Sequence, residues 1–496
     1  MYQLYYRATG KLTKVGQVAR PQVQGEVEEQ GRTSELPITF RFLNQEVTFA
    51  SPAAIDWNYA ANGKLWTYNL NYFEFLQKIE TVEGLELIRS WVASAAGHRD
   101  GWEPYPTSLR LVSWIRFYRE RELTIPSGVA SSIRAQYDAL WGKLEYHLGG
   151  NHLLENAIAL CYTAAYLQDE TGQAKAGKIL AAELQEQYLT DGAHFELSGM
   201  YHIILLDRLL TLWHGLQTFP APAAAPEKMD VLLASLERQL GWLRAFATPD
   251  GRFAHFNDST NGIAPSVMAT LERASQLGLR PAKTELKASG YRRWSTPHFD
   301  CWIDAAAIGP DYIPGHAHAD NLTFVLHVGR TPCIVDPAIS TYEKNARRAR
   351  ERSTVAHNTV VVDGQNSSDV WGGFRVGKRA RTTLFEEQAN LLTAEHDGYG
   401  FSVRRTWQLS DKVLTIKDSL PDARTGIARL HFDHRCKLAL EDDHLLVNDH
   451  LRIKWTSGTA ALTDYEQAIG WNLLYPAKCL EVTFSKRLDT VIAYLS

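Results

Sequence analysis

The spacing of apolar residues along the chain changes character once. From about residue 70 to 290 they recur every three to four positions, and the runs break at Gly97, Pro104, Pro106, Gly149-Gly150, Asp191-Gly192, Pro220 to Pro226 and Asp250-Gly251. That is the period of helices with one buried face, joined by short loops. It predicts paired helices, in a solenoid or an α/α toroid. No fixed-period repeat accompanies them, which weighs against a regular solenoid. After Ser295 the runs are short, alternating and rich in β-formers: Phe299–Asp304, Val413–Ile416, Leu451–Trp455 and Val482–Phe484, with turn residues at Asp363-Gly364 and Ser457-Gly458. This texture predicts an all-β domain, an antiparallel sandwich. Ahead of both, residues 1 to about 50 are polar and irregular and end in the alternating piece Pro37–Phe42, a short strand or hairpin. The predicted organisation is an α+β multidomain chain, with an N-terminal extension over 1–54, a helical domain over 55–295 and a β domain over 296–496.

At 496 residues the chain exceeds one ordinary core, which agrees with that division. Hydrophobic content of 45% with 22% charged residues describes a globular protein, and a net charge of −4 argues against a general nucleic-acid binder. Five cysteines (Cys161, Cys301, Cys333, Cys436 and Cys479) are scattered without a C-x-x-C, as expected of buried thiols in a reducing compartment. The start, Met1–Arg7, has no leader pattern, and no stretch approaches a membrane span. A cytoplasmic location is expected, or a periplasmic or secreted one if a leader has been removed. The fourteen tryptophans and twenty-one tyrosines include an aromatic, amide-rich stretch from Trp57 to Phe73. It reads equally as a saccharide-facing loop or as packing at a domain edge.

Candidate chemistry centres on Gly315-His316-Ala317-His318-Ala319-Asp320-Asn321, ahead of the apolar run Leu322–Val328. In an extended segment the two histidines share a face. Asp336 and His357 lie at the ends of short β-like runs, where a sheet would bring them beside one of the two histidines. Two imidazoles and a carboxylate suit a divalent metal, leaving the other histidine for chemistry. In Gly149-Gly150-Asn151-His152-Leu153-Leu154-Glu155-Asn156, the polar residues His152, Glu155 and Asn156 fall on one face of a helix that Asn151 begins. Tyr201 and His202 open a strongly apolar helix. Arg347, Arg348, Arg350 and Arg352, with Arg375, Lys378, Arg379 and Arg381, flank His357 on a net-acidic chain, which favours a polyanionic substrate.

In this order, and with Trp102-Glu103-Pro104-Tyr105-Pro106 upstream of Arg110, these segments resemble the heparinase II/III-like polysaccharide lyases. The resemblance covers about residues 55 to 400. It implies an incomplete α/α toroid followed by an antiparallel β-sandwich, with the active groove between them, and β-elimination at a uronic acid. Carried over, Asn151 and His152 would neutralise the substrate carboxylate. Tyr201 would protonate the leaving glycosidic oxygen and is also a candidate for removing the C5 proton. His316 would be its partner, and His202 would support Tyr201. Glu155, Trp102, Tyr105, Arg110 and Arg352 would be substrate-side residues. His318, Asp336 and His357 match the family's structural metal triad, which holds zinc or manganese.

The chemistry fits those roles. Removing a proton alpha to a carboxylate places a second negative charge on it, so an amide and an imidazolium beside it stabilise the transition state. A tyrosine of ordinary pKa is a poor base unless cations lower it, a part expected of His202, His316 and the arginines. The implied partner is an anionic polysaccharide: hyaluronan, chondroitin sulfate, heparan sulfate, alginate or a bacterial exopolysaccharide. Oligomeric state is not legible. A glycoside hydrolase would instead need two carboxylates roughly 5–9.5 Å apart, with Glu155, Glu196 and Asp258 as candidates. A non-catalytic saccharide-binding protein would have no use for Asn151, Tyr201 and His316 together.

Overall fold

The alternation at Ile38–Phe42 makes a strand that pairs antiparallel with Gln45–Phe49, Ile38 opposite Phe49. The turn uses Leu43 and Asn44, both at positive φ (55° and 58°), as a two-residue hairpin of matching twist requires. A computed structural model describes residues 36–219, 226–421 and 424–495. Most of the expected N-terminal extension, residues 1–35, therefore lies outside the described residues. The chain divides into two compact units, residues 1–186 with 208–234, and residues 187–207 with 235–496. The division passes through the helices Gly199–Thr218 and Pro226–Phe246.

In the first unit the hairpin is followed by helices Lys64–Tyr72, Thr81–Ser94, Pro104–Glu120, Ser127–Trp141 and Gly150–Tyr166. Their apolar faces bury Trp66, Trp91, Trp114, Ile133 and Leu154. The aromatic stretch from Trp57 to Phe73 is packing. Trp57 and Trp66 are buried, and their ring N–H groups donate to Ser90 Oγ and the Gln45 carbonyl.

In the second unit the chain changes from helix to strand between Gln276 and Tyr291. Tyr291–Ser295, Phe299–Asp304, Phe324–Val328 and Thr331–Ile334 form one four-stranded antiparallel meander. A second four-stranded sheet orders Thr459–Gly470, Leu473–Ser485, Thr425–His431 and Val360–Val362. An eight-stranded sheet runs Thr382–Gln388, Leu391–His396, Val403–Leu409, Val413–Ser419, Arg487–Tyr494, Leu451–Trp455, His444–Val447 and Leu438–Leu440. The inward residues of all three, among them Phe299, Leu326, Trp407, Ile416, Leu480 and Ile492, make one core, as alternating burial on packed sheets requires. Gly458 sits at φ +96°, where a Cβ would collide with the Thr483 carbonyl, so the Ser457-Gly458 turn needs its glycine. All five cysteines are unbridged. Among the described residues no helix is long and apolar enough to cross a membrane.

Candidate active site

In the first unit, the helix Gly150–Tyr166 starts from Gly149 and Gly150 at φ 57° and 51°, a backbone only glycine adopts readily. This start places Asn151 and His152 in the first turn. His152 Nδ1 meets Glu145 Oε1 at 3.1 Å, and its ring lies 4.6 Å from that of Tyr105. Glu145 is itself held: its second oxygen accepts from Asn156 Nδ2 at 3.1 Å, and its N–H donates to Asn156 Oδ1 at 3.0 Å. A carboxylate fixed behind one imidazole nitrogen sets the orientation of the ring.

Three residues expected on the substrate side of this unit are internal instead. Glu155 is fully buried, with Arg208 Nε 3.6 Å away, and Arg208 also pairs with Glu74. Trp102 is buried and donates to the Ala95 carbonyl. Arg110 is fully buried, donates to Gln136, Thr107 and the Asn71 carbonyl, and lies over Trp91 at 4.0 Å. Such a guanidinium joins helices and is out of reach of a polysaccharide. Tyr105, partly exposed beside His152, keeps a place at the surface.

In the second unit, Ser198 caps the helix Gly199–Thr218: its Oγ accepts from the Tyr201 N–H at 3.2 Å and donates to the Asp258 carbonyl at 2.6 Å. Tyr201 thereby stands in the first helical turn, tied to the segment carrying Asp258. Its ring stacks on His316, centroids 4.0 Å apart and planes at 32°. Its hydroxyl lies 3.0 Å from that of Tyr342. Burial first, then Tyr342, Asp258 and Glu196, push the Tyr201 hydroxyl well above its ordinary range. The lowering expected from neighbouring cations does not occur, because burial and the neighbouring Tyr342, Asp258 and Glu196 all act to raise it. Tyr201 is thus a hydroxyl that keeps its proton.

His202 does not support Tyr201. One residue on along the helix, it points into the core, with its Nδ1 accepting from the His194 N–H and its Nε2 donating to the Gln239 carbonyl at 3.1 Å. It is fully buried against Trp242, and burial brings its pKa down to about 3. It is a neutral structural histidine.

The His-x-His segment is a loop and not a strand. Its two rings still face one way, because both donate to one carboxylate: His316 Nδ1 to Asp258 Oδ2 and His318 Nε2 to Asp258 Oδ1, each at 2.8 Å. Arg348, fully buried, grips both oxygens of Asp258, its Nη2 donating to Oδ2 at 2.7 Å. Burial alone would raise the Asp258 pKa, but Arg348 and the two imidazoles hold it well below the carboxylate range. A carboxylate so committed cannot serve as a hydrolase's general acid. With Nδ1 donating to Asp258, the other ring nitrogen of His316, Nε2, faces Glu196 Oε2 at 3.9 Å and is the one placed for proton exchange.

The metal expectation was His318, Asp336 and His357. Among the described residues, the buried group whose donor atoms all lie within 4.8 Å of one another is His318, Asp320 and His357. Asp336 stands one step out: its Oδ2 accepts from His357 Nδ1 at 2.8 Å and its Oδ1 from the Ala338 N–H. Carboxylates behind metal-binding histidines take this place. Three fully buried atoms there have no hydrogen-bond partner, His318 Nδ1, His357 Nε2 and Asp320 Oδ2. Orphaned buried donors and acceptors are costly unless something pairs with them. Burial raises Asp320 to about 6, with His357 opposing and Asp336 adding to the rise. Two imidazoles and a carboxylate fit a divalent cation of the zinc or manganese kind.

Most of the basic run is structural. Arg347 pairs with Glu351 and Glu466, Arg348 with Asp258, and Arg379 donates to the Ile308, Pro310 and Asp311 carbonyls. Arg352, expected on the substrate, is buried and donates to the Ala317 and Gly373 carbonyls, so it shapes the His-x-His loop. Burial lowers its pKa to about 10. Arg350, Arg375, Lys378 and Arg381 are exposed. Sequence reasoning missed Tyr342; it named Asp258 only as a hydrolase candidate, Arg348 only within the basic run and Asp320 only within the His-x-His motif. Asp320 carried a signal, being two residues past His318 in the same motif.

Two family descriptions match the chain: "Heparinase II/III N-terminus" over residues 113–287 and "Heparinase II/III-like, C-terminal" over residues 279–474. Among solved structures, the chain is similar to heparinase III, with a TM-score of 0.71 at 17% identity, covering 89% of this chain and 79% of that one. It is similar to the heparan sulfate lyase HepC of Pedobacter heparinus, with a TM-score of 0.58 at 16% identity over 91% and 80% of the two chains. The chondroitin AC lyase of Streptomyces coelicolor follows at 0.50 and 10% identity, over 87% and 75%. None of the curated proteins matches. These likenesses give the fold as an incomplete α/α toroid followed by an antiparallel β-sandwich. By its two matched regions and its fold, the chain belongs to the heparinase II/III-like family.

Proposed function

We propose that the chain is a polysaccharide lyase that cleaves uronic-acid-containing glycosaminoglycan by β-elimination. The observation that carries the reading is the ring pair Tyr201 and His316, a hydroxyl that keeps its proton beside an imidazole whose Nδ1 is tied to Asp258. β-Elimination needs both at once, a base at C5 and an acid at the leaving glycosidic oxygen. His316 Nε2 is suited to take the C5 proton, because Asp258 fixes Nδ1–H and stabilises the imidazolium that forms. Tyr201 is suited to protonate the leaving oxygen, and Tyr342, 3.0 Å away, steadies the hydroxyl as its proton departs.

The family resemblance assigns the substrate carboxylate to Asn151 and His152. A protonated His152, its ring oriented by Glu145, would offset the second negative charge of the intermediate. A divalent cation held by His318, Asp320 and His357, with Asp336 behind His357, would supply fixed positive charge that orders the loop bearing His316. The neighbours whose printed names include heparan sulfate lyase and chondroitin AC lyase favour a glycosaminoglycan over alginate or an exopolysaccharide.

The test is a panel of heparan sulfate, chondroitin sulfate, hyaluronan and alginate, read by ultraviolet absorbance. Elimination leaves a double bond conjugated to the carboxylate and so gains absorbance. New reducing ends without absorbance would make the protein a hydrolase. Retention of a polysaccharide with no new ends would make it a binding protein.

A further inference from the structure

Beside His316 the second unit carries a small hairpin that no part of the elimination scheme uses. Val370–Trp371 pairs with Arg375–Val376, closed by Gly372-Gly373-Phe374. Trp371 is 51% exposed and Phe374 is 44% exposed, unusual for large apolar rings three residues apart. Both are held in place. Trp371 lies over Gly377, close enough that a Cβ there would meet its ring at 2.8 Å. Phe374 packs on Tyr342 at 4.9 Å and on His316 at 5.7 Å, the latter nearly edge-on. The Gly373 carbonyl accepts from both Arg348 and Arg352, the same buried arginines that hold Asp258 and the Ala317 carbonyl. One scaffold therefore sets the reacting histidine and the hairpin.

Exposed cations surround it. Arg375 faces Trp371 across the hairpin, Lys378 follows, and the Lys344 side chain runs beside Gly373; Asp369 is the acid of the hairpin base. Ordered aromatic rings edged with positive charge suit a ligand that has both apolar C–H faces and carboxylates or sulfates. An acidic sugar chain is such a ligand. Three residues of extended chain span at most about 11 Å, which confines Phe374 and Trp371 to neighbouring sugar rings.

We propose that this hairpin is a saccharide subsite. Phe374 walls the ring bound at His316, Trp371 stacks on the next ring of the same chain, and Arg375 and Lys378 meet its acidic groups. The subsite rests on the lyase reading only in placing the reacting ring at His316; binding by the hairpin is measurable without turnover.

The experiment compares the full chain with Trp371→Ala, Trp371→Phe and Tyr475→Ala, the last an equally prominent aromatic at 44% exposure on the strand Leu473–Ser485. Affinity electrophoresis through heparan sulfate, chondroitin sulfate and alginate reads binding, and ultraviolet absorbance reads KM and kcat. Trp371→Ala should weaken binding and raise KM on the polymer about tenfold, with a much smaller fall in kcat. Trp371→Phe should recover most of the loss, and Tyr475→Ala should bind as wild type. If wild type and Trp371→Ala are retarded and cleave alike, the subsite is overturned while the lyase stands. If wild type is retarded without forming product and Trp371→Ala is not retarded, the lyase reading falls and the subsite stands. No retardation of wild type by any of the three overturns the subsite.

Discussion

Tyr201 and His316 lie ring on ring, 4.0 Å between centroids, although 115 residues separate them in the chain. The pair brings a proton donor and a proton acceptor to within one sugar ring of each other. Replacing Tyr201 with Phe keeps the stack and removes only the hydroxyl. Turnover should fall by at least about 10²-fold, the usual contribution of an acid–base group. The melting temperature should drop only slightly, because one hydrogen bond to Tyr342 contributes about 1 kcal/mol. Near-wild-type rates by ultraviolet assay would remove Tyr201 from the chemistry.

On the first unit, His152→Ala should lower kcat/KM by a similar factor while circular dichroism stays unchanged, since the side chain is 34% exposed. Glu155→Gln should behave differently, lowering stability ahead of activity, because Glu155 is buried beside Arg208. Equal effects of the two on kcat/KM at unchanged stability would return Glu155 to the substrate side.

The cation is tested by elemental analysis of purified protein. His318→Ala and Asp320→Asn should each lower divalent metal content and the melting temperature, and a chelator should lower the melting temperature of wild type. Metal content unaltered by His318→Ala would refute the group. Retention in Asp320→Asn with loss in Asp336→Asn would restore Asp336 as the third ligand.

Asp258→Asn leaves Arg348 buried without its counter-ion. Breaking a buried pair in this way removes about 3–5 kcal/mol of stability. The double variant Asp258→Asn/Arg348→Met should regain part of that in urea denaturation, although it loses activity. No recovery would mean that the pair is not the source of the loss.

Acid sensitivity follows from neutral buried histidines. Burial takes His194 and His396 down to about 4 and His202 to about 3, from an ordinary 6.5. As pH falls below about 6.5 the unfolded chain takes up protons that these folded sites refuse, so stability present above 6.5 is lost progressively toward pH 4. Thermal melts from pH 7.5 to 4.5 should show the midpoint falling across that window. A flat profile would contradict it.

Strands that bury one face were legible, and alternation in Leu451–Trp455 records that directly, whereas Phe299–Asp304, buried on both faces, was legible from its β-formers. The reacting pair was legible through its setting, a polar residue at the head of an apolar helix and two imidazoles two residues apart. What stayed hidden were partners brought in from far along the chain. Asp258 lies 58 residues before His316 and Arg348 lies 90 residues after Asp258, with nothing local to link them. Arginines were misread for a related reason. A charged run is written identically whether its members face solvent or, like Arg348 and Arg352, bond carboxylates and carbonyls inside. His202 was misread because neighbours on a helix point about 100° apart, so Tyr201 can face the site while His202 faces Trp242.

The grip of Arg348 on Asp258 also sets an order of assembly. A carboxylate wholly withdrawn from water is not tolerated alone, so the segment at 258, the loop at 316–318 and the short helix Ala346–Glu351 must dock together or not at all. A nascent or half-folded chain therefore exposes no primed imidazole to passing sugars. Appearance of ultraviolet-absorbing product during refolding would act as a stopwatch for the last folding event that turnover requires.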